Sequence, residues 1–286
     1  MSQNGGIMLF GLGAPKAGTS WLHGYLAAHP EVFVPPMKEM HFFNSVDLGG
    51  SHRLQKLTQK SRRAKEHPLS GQQANLTSGE IDEIHDLIVD GSDQAYLDYM
   101  RKGAGDCTVM ADITPAYGLL SVERLKKMQD MANSRFIFLM RDPVARMWSN
   151  IRMNAVRKIR KGDGRDMATI CTAILKNVLK GKLPDLTSRS DYASVLDKIS
   201  TLDPKRVLVA FYEELFTNET VTRICDFLEI AMMPADFGKR INEGRVVALA
   251  DADRRKAAAY LKPQYAAAEA YMGRLPDAWK QTAGVA

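Results

Sequence analysis

The sequence has few cysteines and no long apolar run. Its 286 residues include three cysteines, Cys107, Cys171 and Cys225, which are widely spaced and contain no CxxC pair. This pattern argues against a disulfide framework or a cysteine-based zinc site and indicates ordinary buried thiols in a reducing compartment. No apolar stretch reaches the roughly 18 residues of a spanning helix, and the polar start of the chain lacks a signal-peptide pattern. We therefore expect a cytoplasmic protein with no membrane span.

The chain also lacks a strong excess of one charge. Lysine and arginine number 39 against 33 acidic residues, which gives a formal net charge of +6, and aromatic residues make up only 8%. Nucleic-acid-binding proteins of this size usually carry a denser basic stripe with interleaved aromatics, so we expect no nucleic-acid partner. The apolar fraction of 45% is that of a folded domain. We assign residues 1–286 to a single domain.

Short apolar runs between glycine and proline signals predict buried strands. The runs cover residues 7–12, 31–34, 108–113, 135–140 and 206–211. Helical periodicity follows several of them, while residues 45–100 begin polar and basic and are expected to form an insertion or a mobile loop. Strands that alternate with helices predict an α/β fold of the P-loop-like, three-layer type, with a central parallel β-sheet flanked by helices. In such a sheet the ligands bind at the carboxyl ends of the strands.

The loop after the first run has the spacing of a phosphate-binding loop without its lysine. The usual pattern is Gly-x-x-x-x-Gly-Lys-Ser/Thr, whereas residues 13–20 read Gly-Ala-Pro-Lys-Ala-Gly-Thr-Ser. Thr19 therefore stands in the lysine position, and the cation has moved to Lys16. Such a loop still offers amides, a helix N-terminus and two hydroxyls to a phosphate. Taken alone, the pattern leaves a simple glycine-rich turn as the alternative.

Residues 15–22, Pro-Lys-Ala-Gly-Thr-Ser-Trp-Leu, resemble the 5′-phosphosulfate-binding loop of sulfotransferases that use 3′-phosphoadenosine 5′-phosphosulfate (PAPS). The resemblance implies PAPS as the sulfuryl donor. It also implies that the 5′-phosphosulfate is held by Lys16, Ala17, Gly18, Thr19 and Ser20. Lys16 would be the catalytic cation near the leaving phosphate oxygen. Trp21 is expected to stack on adenine, with a buried core position as the alternative.

A second phosphate-type segment follows the run 135–140. Residues 135–149 resemble the family segment in which an arginine after a strand and a serine eight residues later bind the donor's 3′-phosphate, which implies these roles for Arg141 and Ser149. Arginine can bind phosphate through two parallel hydrogen bonds. The alternatives are a local ion pair between Arg141 and Asp142 and a solvated position for Ser149. A late loop at residues 242–245 weakly matches the one that closes over the 3′-phosphate.

Residues 38–43, Lys-Glu-Met-His-Phe-Phe, resemble the Lys-Glu-x-His-Phe-Phe segment of Golgi-type carbohydrate and related bacterial sulfotransferases. The glutamate of that segment is the proposed base, which implies Glu39 as the base, and His41 is the second choice. The alternatives are an ion pair of Glu39 with Lys38 or Lys16 and a structural histidine. Residues 112–117 match a further acceptor-side segment, but Ile113 replaces its usual lysine, which argues against a highly anionic glycan acceptor.

These resemblances imply a PAPS-dependent sulfotransferase that acts on a hydroxyl of a carbohydrate or of a small lipid-like or secondary-metabolite acceptor. The expected product is 3′,5′-adenosine bisphosphate, and the expected partner is a small-molecule or glycan acceptor. We expect no metal, and a homodimer is left open. Two alternatives also account for the basic charge: a nucleotide kinase with an altered phosphate loop, and a polyanion-binding module that uses residues 53–65 and 152–161.

Overall fold

The computed structural model describes residues 6–66, 76–238 and 246–284. Within these ranges a five-stranded parallel sheet is built from β1 (Ile7–Gly13), β2 (Val32–Phe33), β3 (Val109–Ile113), β4 (Asn133–Met140) and β5 (Val207–Phe211). The strand order is β2-β3-β1-β4-β5, with β1 paired to both β3 and β4. All five predicted strands are present. The predicted parallel sheet is confirmed, although β2 is shorter than its apolar run.

Helices flank the sheet and complete the predicted α/β architecture. They are α1 (Thr19–Ala27), α2 (Phe42–Leu48), α3 (Ser51–Glu66), α4 (Ser78–Asp90), α5 (Asp93–Ala104), α6 (Val122–Asp130), α7 (Pro143–Arg160), α8 (Met167–Leu179), α9 (Pro184–Ser188), α10 (Tyr192–Ile199), α11 (Asn218–Leu228), α12 (Asp251–Tyr260), α13 (Lys262–Met272) and α14 (Asp277–Ala283). Parallel strands bury both faces under such helices, which is why their sequences are nearly continuous apolar runs. Every residue of β1 is buried.

An aromatic cluster joins the central strand to the elements that follow β2 and β3. The ring of Phe10 on β1 has its centroid 5.6–6.4 Å from the rings of Phe43, Tyr96, Tyr117 and Phe136. These separations are typical of aromatic pairs that contribute beyond their buried area. The cluster therefore fixes α2 and α5 against the carboxyl half of the sheet.

The segment 45–100 is mostly helical among the described residues, and its being an insertion stays a prediction. Helix α3 was not predicted because its apolar positions are few: Leu54, Leu57 and Ala64 have helical spacing, but most residues between them are charged or polar. In residues 80–100 apolar side chains recur at helical spacing, and they are divided between α4 and α5, because Gly91 ends the first helix with φ 71° and Ser92 caps the second. Residues 67–75 lie outside the described residues.

Two findings concern the expectations drawn from composition. In the described ranges no helix combines the length and the apolar character needed to cross a bilayer. All three cysteines are free thiols, and Cys171 and Cys225 are buried, whereas Cys107 is half-buried. Two of the three cysteines are therefore ordinary buried thiols, as the sequence predicts.

Candidate active site

The glycine-rich loop connects β1 to α1 at the carboxyl edge of the sheet, as the sequence predicts. Gly18 is the N-cap of α1 and has no side chain to cap the amides of its first turn. The Trp21 and Leu22 amides donate to the Gly18 carbonyl, so the amides that remain for another acceptor are those of Thr19 and Ser20. Lys16 in the same loop has φ 71°, in the left-handed region that side chains other than glycine rarely adopt. An uncapped helix start beside a strained lysine is an arrangement typical of anion binding.

Four further cations surround Lys16. Burial lowers the pKa of Lys16, and the positive charges of its neighbours lower it further; these neighbours are Arg141, Arg152, Lys38 and Arg157. The Lys38 ammonium also donates a hydrogen bond of 2.5 Å to Ser20 Oγ, one residue into α1. Positive charges held this close repel one another unless an anion lies between them. An anion bound at the loop would reduce this repulsion.

Gly18 has a packing constraint that can be tested with a matched glycine. A Cβ at Gly18 would lie 2.6 Å from Leu215 Cδ2, and the backbone has φ 92°. Gly162 has nearly the same φ of 94° with no atom within 4 Å of its Cβ position. We expect Gly18→Ala to lower the free energy of unfolding by about 1–3 kcal/mol more than Gly162→Ala does, because only Gly18 adds a clash to the strain. Chemical denaturation measures both, and equal losses would contradict the packing argument.

Arg141 follows β4 and reaches the glycine-rich loop. Its guanidinium lies 4.5 Å from the centre of the Tyr212 ring, and its Nη1 donates a hydrogen bond of 3.4 Å to the carbonyl of Lys16. The neighbouring Asp142 caps α7 instead, because its carboxylate accepts hydrogen bonds from the Ala145 amide at 2.7 Å and the Tyr265 hydroxyl at 2.9 Å. The structure thus brings the two predicted phosphate-type segments together.

A groove of about 510 Å³, including its open mouth, extends from Arg141 along α7. It is lined by Arg141, Val144, Ala145, Trp148, Arg152, Val247, Ala248, Leu249 and Arg254. Ser149 is half-buried and lies four residues after Ala145 and three before Arg152, which places it on the same face of the helix. The groove is lined by three arginines, which give it a positively charged wall. Residues 242–245, the expected closing loop, lie outside the described residues.

Glu39 and His41 lie in a strained turn between β2 and α2. Their φ angles are 58° and 56°, and Glu39 Oε2 lies 3.5 Å from His41 Nε2. Burial raises the pKa of Glu39, but the hydrogen bond and charge of His41, followed by the charges of Lys38 and Arg189, outweigh it and hold this pKa below its usual value. Glu39 is consequently a carboxylate at neutral pH and can accept a proton. Among the described side chains, the basic group within 4 Å of its carboxylate is the His41 ring, which forms an ion pair with it only when protonated.

Three side chains near this turn were not predicted from the sequence. Burial lowers the pKa of His23 on α1 to about 4, with Lys38 acting in the same direction and Glu39 against it. Arg53 on α3 donates hydrogen bonds to the backbone of the turn. Arg189, directly after α9, is close enough to Glu39 to act on its pKa. All three lie outside the segments that carry the family resemblance, so no local sequence signal identifies them.

Asp112 and Trp21 are both built into the core. The Asp112 carboxylate is 1% exposed and accepts hydrogen bonds from Thr114, Tyr96 and Tyr117 at 2.7, 3.0 and 2.7 Å. Burial raises its pKa although these three hydroxyls oppose the shift. Trp21 is 7% exposed, and its ring packs against Tyr25, Phe216 and Phe237. Trp21 thus packs as its core alternative describes, and adenine stacking by its ring stays a prediction.

A small apolar cavity adjoins the glycine-rich loop. It is lined by Leu12, Ala14, Pro15, Pro115, Ala116, Gly118, Leu119, Phe138, Ser188, Arg189, Asp191, Tyr192 and Val195, and its enclosed space is that of about one water molecule. It shares Ala14 and Pro15 with the loop that carries Lys16, and the charge of Arg189 in its lining acts on the pKa of Glu39. The cavity is therefore next to the cationic loop.

Comparisons with known proteins concern the family and the fold. A family model described as "Sulfotransferase family" matches residues 9–234. No curated protein matches the chain. Among solved structures, a sulfotransferase from Alicyclobacillus acidocaldarius is 20% identical with a TM-score of 0.58 and is matched over 98% of this chain and 100% of that one. The sulfotransferase domain of an olefin synthase from Synechococcus PCC 7002 is 19% identical with a TM-score of 0.52. The match covers 96% of this chain and 98% of that one. At these identities the two structures support the fold.

Proposed function

Because this chain belongs to the sulfotransferase family, we propose that it transfers the sulfuryl group of PAPS to a hydroxyl of a carbohydrate or of a small lipid-like or secondary-metabolite acceptor. The product would be 3′,5′-adenosine bisphosphate. One observation carries the proposal: two cationic sites follow the neighbouring strands β1 and β4 and are joined by the contact between Arg141 and the Lys16 carbonyl. PAPS has anionic groups at two separate positions of its nucleoside, and two linked sites fit such a molecule.

The residues present fit the two anionic ends of the donor. The 5′-phosphosulfate would be held by Lys16, Ala17, Gly18, Thr19 and Ser20, where the first turn of α1 has no side-chain cap. The 3′-phosphate would be held by Arg141 and Ser149 on the arginine-lined groove. When bound, PAPS supplies the sulfuryl group and a phosphate leaving group. The negative charge of the ligand would then offset the repulsion between Lys16 and the cations around it.

Lys16 and Glu39 are proposed to act at opposite ends of the transfer. Lys16 stabilises the charge that grows on the leaving phosphate oxygen, by analogy with phosphoryl transfer, where positioning and electrostatics provide most of the catalysis. Glu39 accepts the proton of the acceptor hydroxyl, since its pKa is held low enough for it to be ionised. His41 pairs with the Glu39 carboxylate at 3.5 Å and remains the second choice for the base.

The apolar cavity favours a small acceptor with an apolar body. Its lining includes Leu119, Phe138 and Val195, and its polar end contains Arg189 and Asp191. A highly anionic glycan would find little positive charge there, in agreement with Ile113, which is 1% exposed where related Golgi enzymes often carry a lysine. We propose that the acceptor's hydroxyl faces Glu39 while its apolar part lies against this apolar surface.

The donor site can be tested without knowing the acceptor. We expect 3′,5′-adenosine bisphosphate to bind the wild-type protein without magnesium, in preference to ATP with magnesium, and Arg141→Ala to weaken that binding roughly 10- to 100-fold. This magnitude corresponds to the loss of a charge-assisted hydrogen bond of about 1.5–3 kcal/mol. Isothermal titration calorimetry measures both affinities.

Arg255→Ala is the matched control for that experiment. Arg255 is exposed on α12, next to Arg254 of the groove but outside its lining. Its replacement removes one positive charge and should leave the bisphosphate affinity unchanged. A preference for ATP with magnesium would instead indicate a kinase. Binding of neither nucleotide, together with salt-dependent binding of polyanions, would indicate a polyanion-binding module.

A further inference from the structure

We infer that Arg53 on α3 is a positioning residue, which holds the turn that carries Glu39 in the geometry needed for proton transfer. The inference rests on the proposed function, in which Glu39 is the base. It assigns a role to a residue of the basic segment 53–65, which the proposed function does not use.

One nitrogen atom of Arg53 spans the whole turn. Its Nη2 donates hydrogen bonds to the carbonyl oxygens of Glu39 at 3.1 Å and Met40 at 3.2 Å, and it lies 3.2 Å from Met37 Sδ. These contacts connect the first turn of α3 with the segment before α2, and the residues in each pair are separated by 13 to 16 positions in the chain. Hydrogen bonds from a charged donor are about twice as strong as those between neutral groups.

The turn needs such support because its backbone is strained. Glu39 and His41 have φ 58° and 56°, and left-handed conformations at residues other than glycine cost of order 1–3 kcal/mol each. Both ends of the turn are held by other contacts: Lys38 donates to Ser20 Oγ, and the carbonyl of His41 accepts from Ser45 Oγ at 2.7 Å. Arg53 is the side chain that holds the carbonyls between these ends. Without it, Glu39 is expected to leave the left-handed region and lose its contact with His41.

Arg53 also differs from most cations of α3 in its environment. Lys56, Arg62, Arg63 and Lys65 are exposed, whereas Arg53 and Lys60 are half-buried, and of these two Arg53 donates to the backbone of the turn. Burial lowers the pKa of Arg53, and the neighbouring Tyr117, Glu39 and Asp112 oppose this shift. The guanidinium thus lies among groups of the catalytic turn and its supporting core, not on the solvated face of the helix.

The test compares Arg53→Ala with Arg53→Lys. For Arg53→Ala we expect kcat for sulfuryl transfer to fall about 100-fold, with KM for PAPS and the affinity for adenosine bisphosphate changed less than about twofold, because a small misplacement of a catalytic group can cost that much. A lysine offers several donors on one nitrogen. Arg53→Lys should therefore recover most of the lost kcat, since one nitrogen reaches all the acceptors.

A second measurement reports on the turn without using activity. Trypsin cleaves after Lys38, and a loosened turn should be cut there at least tenfold faster in Arg53→Ala than in the wild-type protein, as followed by mass spectrometry. Arg63→Ala is the matched control, because Arg63 is an exposed arginine on the same helix. It should leave both kcat and the cleavage rate after Lys38 unchanged. If Arg53→Ala does not fold, Arg53→Gln takes its place beside Arg53→Lys.

The two proposals fail in different ways. A wild-type protein that neither binds adenosine bisphosphate nor transfers a sulfuryl group refutes the proposed function, whatever the cleavage rates are. An active wild type whose folded Arg53→Ala or Arg53→Gln variant keeps its kcat and its resistance after Lys38 refutes the positioning role. A variant in which donor affinity falls while kcat is retained also refutes the positioning role. The same holds if kcat of Arg53→Lys is no higher than that of Arg53→Ala or Arg53→Gln.

Discussion

Replacement of Lys16 with alanine is expected to lower kcat for sulfuryl transfer about 1,000-fold. The cost of removing one preorganised donor from a charge that develops in the transition state is roughly 10²- to 10³-fold. We place Lys16 at the upper end, because it is partly desolvated and held in a fixed left-handed backbone. The rate is measured with labelled PAPS and an acceptor found by screening.

The effect of Lys16→Ala should fall mainly on turnover. Adenosine bisphosphate would keep its contacts with Arg141 and the groove, so its affinity should fall by only about tenfold, which corresponds to the lower end of the roughly 1.5–3 kcal/mol of one charged contact. Lys176→Ala is the control, since Lys176 is an exposed lysine on α8 and should show wild-type turnover. A Lys16→Ala protein within tenfold of wild-type kcat would rule out Lys16 as the principal catalytic cation.

Glu39→Gln is expected to lower kcat by about 10²- to 10⁴-fold while leaving bisphosphate affinity unchanged. This range is typical of the loss of a general base. Glutamine keeps the size of the side chain and can accept a hydrogen bond, but it cannot take the acceptor's proton. The affinity should persist because the groove and the glycine-rich loop hold the donor without Glu39.

His41→Gln separates the first choice of base from the second. If Glu39 is the base, His41→Gln should reduce kcat less than Glu39→Gln, because the histidine only pairs with the carboxylate at 3.5 Å. The reverse order would move the role to His41. Glu269→Gln serves as the control for the acidic change, since Glu269 is exposed on α13. Loss of bisphosphate binding in a folded Glu39→Gln protein would remove the assignment altogether.

The strands and the two phosphate-type segments could be predicted because their signals are local. Residues 7–12 and 135–140 are continuous apolar runs, and β1 and β4 form there with their predicted pairing type. The glycine-rich loop is defined by consecutive residues, and so is the segment that contains Glu39 and His41. Chain connectivity alone then brings Lys16 and Arg141 to the same edge of the sheet.

Helix α3 and its inward-facing arginine could not be predicted, because their signals are not local. Seven of the sixteen residues of α3 are His, Lys or Arg and its apolar residues form only a narrow stripe, so its composition predicts a polar, basic insertion or loop. The role of Arg53 depends on where α3 lies relative to the strained turn, which only the folded chain defines. Asp112 shows that a local resemblance does not by itself define a role. It belongs to a segment that resembles one near the family's acceptor cleft, yet its carboxylate is buried and accepts hydrogen bonds from three hydroxyls.

The strand order β2-β3-β1-β4-β5 also has a consequence for exchanging parts of the chain. The segments after β1 and β4 supply the groups assigned to the donor, while the segment after β2 supplies Glu39 and the segment after β3 contributes Pro115, Ala116, Gly118 and Leu119 to the apolar cavity. Because the two donor segments lie on neighbouring strands, the segments after β2 and β3 can be replaced without removing either of them. Chimeric proteins that exchange only these two segments would be the starting point for redirecting the proposed acceptor preference.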